Sequence, residues 1–423
     1  MEIKEMIPKK SINAEVSIPG SKSYANRALV IAALAKGTTT LSNVPTCDDV
    51  KYMLSAIKLL GVNVEEISST KVKITPQEKL HYDGEINIGG AGTTMRFLTS
   101  LISLGVGNIE LGGNSRMCER PIEDLILALE ENVDGIIEAQ NKTEKGERYP
   151  PLKINSKGLK GGIIKLKGNT SSQYLSSILL SAPYAKKEVT VEIIGELTSK
   201  SYADMTLDVM KTFGINVQNN NYKNFVVPKN EYLGKEYYVE IDSTGAGYFL
   251  AVAAILGGKI KIKNVNLDSV QGDFEFINVL EKMGCKIKKE DDYLCLESNG
   301  ELTGVEVDMN TLPDSAQTLA IVASFAKGNT KITGIANLRV KETDRILAIK
   351  TELAKCGIHV EAGDDYMVIE GGKPTGATIA TYNDHRMAMS FAVLGAKIPG
   401  VKVENPNCVS KSFPEFWELF EKL

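Results

Sequence analysis

The chain is poor in the residues from which metal, disulfide and membrane sites are made. It has three histidines (His81, His359 and His385) and one tryptophan in 423 residues. No HExxH run and no Cys/His cluster occurs, which argues against a structural or catalytic zinc site. The six cysteines, Cys47, Cys118, Cys285, Cys295, Cys356 and Cys408, are scattered without a CxxC pair. That pattern suits reduced thiols in a cytoplasm and not a disulfide framework. No apolar run of about 18 residues is present, so no transmembrane helix is expected. The first ten residues mix acids with lysines and lack the apolar stretch of a signal peptide. An excess of positive charge is also missing. Lys and Arg number 49 against 53 Asp and Glu, a net charge of −4, which argues against nucleic acid or an anionic membrane as a bulk partner. What remains is a soluble cytoplasmic protein of ordinary composition, 43% hydrophobic and 24% charged, long enough for two sizeable domains.

What the chain does have is a repeat. A small or polar opening, an apolar helix, a turn and an alternating strand recur six times, starting at Gly20, Gly89, Gly168, Asp242, Leu312 and Tyr382. A second pattern interleaves with it: an amphipathic helix that ends at glycine and runs into a strand. Gly61, Gly214, Gly284 and Gly357 stand where a helix C-terminus needs a left-handed residue, and a degraded copy surrounds Gly135. Each repeat therefore carries two helices and several strands, an α/β pattern. The segments Ala28–Ala35, Ala251–Leu256 and Ala320–Ala326 are apolar nearly all round, which predicts buried helices. Six repeats suggest two lobes of three. No Pro/Ser-rich linker marks a boundary between them.

Where helix N-termini gather, free N–H groups and the positive dipole ends form an anion site. The helix openings are accordingly the places to look for chemistry. The first, Gly20-Ser21-Lys22-Ser23-Tyr24-Ala25-Asn26-Arg27, combines hydroxyls and cations without the spacing of a Walker A loop. A Ser-capped helix with surface cations explains it equally. Gly89-Gly90-Ala91-Gly92-Thr93 allows backbone to approach a ligand, or forms a tight turn. Thr170-Ser171-Ser172-Gln173 offers more hydroxyls than one cap needs. Asp242 reads as an N-cap, and so does Asp314 when taken alone. His385 sits beside Arg386 at the sixth opening. Cys118 reads as a bystander. The densest run is Asn337-Leu338-Arg339-Val340-Lys341-Glu342-Thr343-Asp344-Arg345, placed on the lead-in and first turn of a helix, with Lys341 and Arg345 four apart on one face. A solvated, salt-bridged helix start is the alternative.

Taken in order from Lys22 to Lys411, these motifs resemble the enolpyruvyl transferase family, in its branch acting on shikimate 3-phosphate. The resemblance spans nearly the whole chain. Gly90, Phe97 and Ser201 depart from the family's usual Asn, Pro and Pro. The resemblance implies a two-lobed inside-out α/β barrel, each lobe holding three βαβαββ-type repeats with buried parallel helices. Residues 1–19 with 241–423 would form one lobe and 20–240 the other, with the active site in the cleft between them.

The resemblance further implies transfer of the carboxyvinyl group of phosphoenolpyruvate to the 5-hydroxyl of shikimate 3-phosphate, with no metal or organic cofactor. It assigns Lys22, Ser23, Arg27, Ser171, Ser172, Gln173, Ser199, Tyr202, Asp314, Asn337 and Lys341 to shikimate 3-phosphate. It assigns Lys22, Gly92, Arg120, Gln173, Arg345, Arg386 and Lys411 to phosphoenolpyruvate. Asp314 is the implied base and Glu342 the implied acid, with Lys22 and His385 beside them. The partners expected are these small molecules only, and a monomer is the default. Two rivals remain. One is transfer to UDP-N-acetylglucosamine, against which Ser23 and the register of Cys118 speak. The other is a non-catalytic anion-binding scaffold, against which the retained Asp314, Glu342 and Lys22 speak.

Overall fold

The repeats fold on one plan, a strand, a buried helix, a parallel strand, a second helix and an antiparallel hairpin, which is complete within the second, third and fifth copies. The computed structural model describes residues 2–144, 146–290 and 292–423. The chain forms two compact units, Met1–Pro19 with Glu240–Leu423, and Gly20–Val239.

The unit Gly20–Val239 contains helices α1 (Lys22–Leu34), α2 (Asp48–Leu59), α3 (Gly92–Leu104), α4 (Glu123–Glu130), α5 (Ser172–Ser181) and α6 (Lys200–Thr212). Its sheets share one topology. Strand Gly84–Asn87 leads through α3 to the parallel strand Gly107–Gly112, which then pairs antiparallel with Arg148–Leu159, itself paired with Val133–Lys142. Gly162–Lys167, Val189–Ile194, Asn224–Val227 and Gln218–Asn220 repeat this order around α5. In the third sheet the first place is filled from the far end of the unit: Glu236–Tyr238 runs parallel to Thr39–Ser42. The chain thus completes its first sheet just before it leaves the unit.

The other unit contains α7 (Ser243–Leu256), α8 (Phe276–Lys282), α9 (Ala316–Ala323), α10 (Arg345–Lys355), α11 (His385–Lys397) and α12 (Phe416–Glu421). Ile12–Ser17 runs parallel to Gly258–Lys263, and Glu306–Asp308 parallel to Asn329–Thr333. In the last sheet Thr378–Ile379 is parallel to Lys402–Glu404, and the N-terminal strand Ile3–Glu5 supplies the antiparallel neighbour.

Within each unit the odd-numbered helices pack on one another, α1, α3 and α5 in one and α7, α9 and α11 in the other. They are buried on all sides: every residue from Tyr24 to Ala33 in α1 and from Ser243 to Ile255 in α7. Alanine and glycine let such backbones approach closely. The strand Arg148–Leu159 is buried on one face only. Along Arg148–Leu159, Leu152, Ile154 and Ser156 point inward while Lys153, Asn155 and Lys157 face solvent, the two-residue period of a half-buried strand.

The four helix-ending glycines are left-handed, with φ of +93° at Gly61, +94° at Gly214, +115° at Gly284 and +78° at Gly357. At the end of α10 the Gly357 N–H donates to Ala354 and the Ile358 N–H to Leu353, a Schellman closure. No atom comes nearer than 3.9 Å to a Cβ built on Gly357, so only backbone conformation opposes a side chain there. Gly357→Ala is expected to cost about 1 kcal/mol in urea unfolding, with catalysis unchanged.

Two expectations are corrected. Gly135 does not end a helix: α4 stops at Glu130, and Gly135 lies within a strand at a register shift, where a Cβ would meet the Asn155 carbonyl oxygen at 2.0 Å. The third apolar segment is not all helix, since α9 ends at Ala323 and Ala326 is in a short strand. The two units divide between Val239 and Glu240. The Glu240 carboxylate accepts from Asn266, Ser269 and Gln271, which ties that residue to the unit it enters.

Candidate active site

In the unit Glu240–Leu423, three helix starts bring distant residues together. The turn Pro313–Ser315 leads into α9 and carries Asp314, Arg345 is the first residue of α10, and His385 and Arg386 open α11. Asp314 lies between two arginines. Its Oδ1 accepts from Arg345 at 2.9 Å and its Oδ2 from Arg386 at 2.7 Å. Arg345 is 2% exposed and reaches two further carboxylates, Glu342 at 2.8 Å and Asp384 at 2.8 Å. Burial opposes its charge, yet Asp384, Glu342 and Asp314 hold its proton affinity above the ordinary arginine value. Burial would likewise raise Asp314, but Arg386, Lys341 and Arg345 overcome it and hold the carboxyl well below the usual carboxylate range.

Supporting groups fix these side chains. Asp384 caps α11 through the Arg386 N–H at 2.9 Å while binding Arg345, so one carboxylate sets the relation of two arginines. Arg386 also donates to the Tyr248 hydroxyl of α7 at 3.2 Å, a phenol that burial pushes up to about 12. Glu342 faces Lys411 at 3.7 Å as well as Arg345. His385 is 1% exposed, its Nδ1 3.4 Å from Asp384. Asn337 lies in the short helix Ala336–Val340.

The expected shared helical face of Lys341 and Arg345 is not present. Asp344 takes the N-cap of α10, accepting from the Leu347 N–H at 3.0 Å, and Lys341 precedes the helix. It approaches Asp314 from the loop. Asp314 lies inside the short helix Pro313–Ser315, whose N-cap position is Leu312, and its carboxylate meets the two arginines. Asp242 does cap α7, accepting from Thr244 and Gly245.

In the unit Gly20–Val239 a second set gathers at the starts of α1, α3 and α5. Lys22 opens α1 and pairs with buried Asp49 at 2.8 Å. Asp49 is in the first turn of α2, where an acid suits the dipole, and its carbonyl accepts from Thr94 of α3. The Gln173 amide of α5 donates to Thr93 at 3.3 Å. Ser171 caps α5 through the Gln173 N–H, with Ser172 buried beside it. Thr170 instead binds Asp124. Ser199, left-handed at φ +53°, precedes α6, which carries Tyr202.

Gly92 begins α3 under two arginines. A Cβ there would stand 2.5 Å from the Arg120 Nη1 and 2.9 Å from the Arg96 Nη1. Arg96 in turn donates to the Gly92 and Pro121 carbonyls. The glycine is therefore required by close approach and not by its φ. Gly92→Ala is expected to displace the Arg120 guanidinium and raise KM for an anionic substrate about ten-fold, a loss of roughly 1.4 kcal/mol. Steady-state kinetics at unchanged thermal stability would check it.

Arg27 is placed differently from the other cations. It is 1% exposed, and burial lowers it to about 10. Its guanidinium donates to Thr206, Ser176, and the carbonyls of Ser23 and Tyr202, and lies 5.3 Å from the Phe97 ring centre. These bonds join α1, α5 and α6.

Asp49, Arg96, Tyr248, Asp273 and Asp384 were not singled out from the sequence. Asp384 had a signal, its place immediately before His385 at the sixth helix opening, and Asp49 had the acidic first turn. Asp273 and Tyr248 had none. Among the described residues no group of three or more His, Cys, Asp or Glu side chains could hold a metal ion, and no helix is long and apolar enough to cross a membrane.

Residues 7–420 match the family described as EPSP synthase (3-phosphoshikimate 1-carboxyvinyltransferase). A curated 3-phosphoshikimate 1-carboxyvinyltransferase of Aliivibrio fischeri is 43% identical, with both chains covered completely. Proteins of the same name from Sulfurovum and Marinomonas are 45% and 46% identical, each alignment covering 98% of both chains. Among solved structures, an EPSP synthase from Acinetobacter baumannii superposes with a TM-score of 0.81 at 26% identity, covering 99% of this chain and 97% of the other.

Proposed function

Because the chain belongs to the EPSP synthase family, we propose that the two residue sets described above act on one pair of substrates. The enzyme transfers the carboxyvinyl group of phosphoenolpyruvate to the 5-hydroxyl of shikimate 3-phosphate and releases phosphate, a step of chorismate and aromatic amino acid biosynthesis. The observation that carries the site assignment is the clamp of Arg345 and Arg386 on Asp314.

The chemistry is addition followed by elimination. In addition, Asp314 takes the hydroxyl proton as the oxygen attacks the enol carbon, and the methylene gains a proton from Glu342. The tetrahedral ketal then returns a methyl proton to the Glu342 carboxylate and expels phosphate, with Lys22 as the acid at the departing group. The cations share the substrate charge. Arg120, Arg345, Arg386, Lys411 and Lys22, with Gln173 and the Gly92 backbone, hold phosphoenolpyruvate. Ser171, Ser172, Ser199 and Gln173 hold the shikimate phosphate, with Lys22, Ser23, Tyr202, Asp314, Asn337 and Lys341 around the ring. Bidentate arginines suit such oxyanions. Arg27, which also binds the Ser23 carbonyl, belongs to the shikimate 3-phosphate set. His385, whose Nδ1 lies 3.4 Å from Asp384, stands with the catalytic group.

The same proposal extends to the architecture. Each unit is a lobe of three βαβαββ-type repeats with parallel helices inside their sheets, the inside-out barrel of the family. A cytoplasmic monomer is the matching state.

The test is phosphate release from phosphoenolpyruvate, with shikimate 3-phosphate and UDP-N-acetylglucosamine offered in parallel. Release with shikimate 3-phosphate alone, and a carboxyvinyl product by mass spectrometry, is the expected result. Release with the sugar nucleotide alone would overturn the acceptor assignment.

A further inference from the structure

The proposed base poses a chemical difficulty. A carboxylate held far below its usual range by Arg386, Lys341 and Arg345 binds a proton weakly, and general-base catalysis falls with basicity. Substrate anions offset part of that positive field once they bind. A second offset is built into the fold. Asp273 lies in the short helix Gly272–Glu275, which packs against α7, α8 and the turn carrying Asp314. It is 6% exposed, and its Oδ1 accepts from the hydroxyl of Ser315, the residue next to Asp314, at 2.7 Å.

We propose that Asp273 is a positioning residue for the carboxyvinyl transfer: through Ser315 it holds the turn that presents Asp314, and its carboxylate adds a negative charge that strengthens Asp314 as a base. This rests on Asp314 being the base. Asp273 does not itself touch substrate and donates or accepts no proton in the reaction.

The charged groups around Asp273 come from every side. Asp314 lies on the neighbouring turn, Arg386 on α11 and Asp242 at the start of α7. Burial and the nearby Asp314 carboxylate push Asp273 up to about 6, while Arg386 and the Ser315 hydroxyl pull it down. Asp273 is thus charged at pH 8 and neutral at pH 5. When it is neutral, Asp314 loses its offset and becomes a weaker base. Turnover should therefore fall through a limb near pH 6 that belongs to Asp273 and not to Asp314.

The experiment measures kcat and KM for the full-length enzyme across about pH 4.5 to 8.5, for the wild type, Asp273→Asn and Ser315→Ala. Asparagine keeps an oxygen for Ser315 and removes the titration. Burial disfavours the charged Asp273, so Asp273→Asn is expected to be at least as stable as the wild type at pH 8. Its kcat should fall roughly five-fold at pH 8, with both KM values unchanged and the limb near pH 6 gone. Ser315→Ala removes a bond that favours the charged form, so its limb should move to higher pH. An Asp273→Asn enzyme with wild-type kcat, or one that keeps the limb, overturns the proposal. So does a Ser315→Ala limb that stays in place. Failure of the wild type itself to release phosphate with shikimate 3-phosphate would instead overturn the functional assignment beneath it.

Discussion

Replacing Asp314 by asparagine is expected to lower kcat by about 10²- to 10⁴-fold, the usual loss on removing a general base. The Michaelis constant for phosphoenolpyruvate should stay the same or fall. Asp314 occupies donors of both Arg345 and Arg386, and asparagine competes for them without a negative charge. An anionic substrate then meets a more positive site. Uniform weakening of binding with little change in kcat would show that Asp314 holds the site together but does not move the proton. Parallel kinetics on Glu342→Gln would separate the two carboxylates, since Glu342 shares Arg345 but also faces Lys411.

The second large effect is on stability. Arg345→Met should destabilise the protein by about 3–5 kcal/mol, the cost of leaving buried charge uncompensated. Asp314, Glu342 and Asp384 all depend on that guanidinium, and Asp384 is fully buried. The sign of the pH dependence distinguishes this from a simple cavity. In the wild type, the folded-state proton affinity of Asp314 lies below its ordinary value. Its contribution is complete above the usual carboxylate range and is lost as pH falls through the lower folded value. In Arg345→Met, Asp314 keeps Arg386 and Lys341 but loses one of the three cations that hold it down, so its folded-state proton affinity rises toward the ordinary value. The variant's deficit should then shrink as pH falls through the ordinary carboxylate range and below it. Urea unfolding at several pH values measures both. An equal loss at every pH would reduce Arg345 to a packing role.

How much of this was legible depends on the range of the interaction. The left-handed Gly61, Gly214, Gly284 and Gly357 were readable because a helix end is a local event, closed by hydrogen bonds within six residues. The Asp242 cap was readable for the same reason. Gly135 misled because the same glycine type also serves a strand where another backbone comes close, and nothing local separates the two uses. Lys341 misled because Asp344, three residues later, captured the helix start. Arg27 looked like its neighbouring cations in the sequence. Only the packing of α1 against α5 and α6 turned its guanidinium onto Ser176, Thr206 and Tyr202.

The amino-acid order by itself determined the repeat, the alternation of buried and amphipathic helices, and the set of cations and acids at the helix openings. These follow from hydrophobic period and backbone preference, which act over a few residues. Tertiary structure alone decided which acid meets which cation. Asp314, Arg345, Asp384 and Asp273 lie tens of residues apart, and they meet because three helices and a short turn start at the same end of one core. Their charges and proton affinities are set by that meeting, through burial and Coulomb interaction across the fold, and no local pattern encodes them.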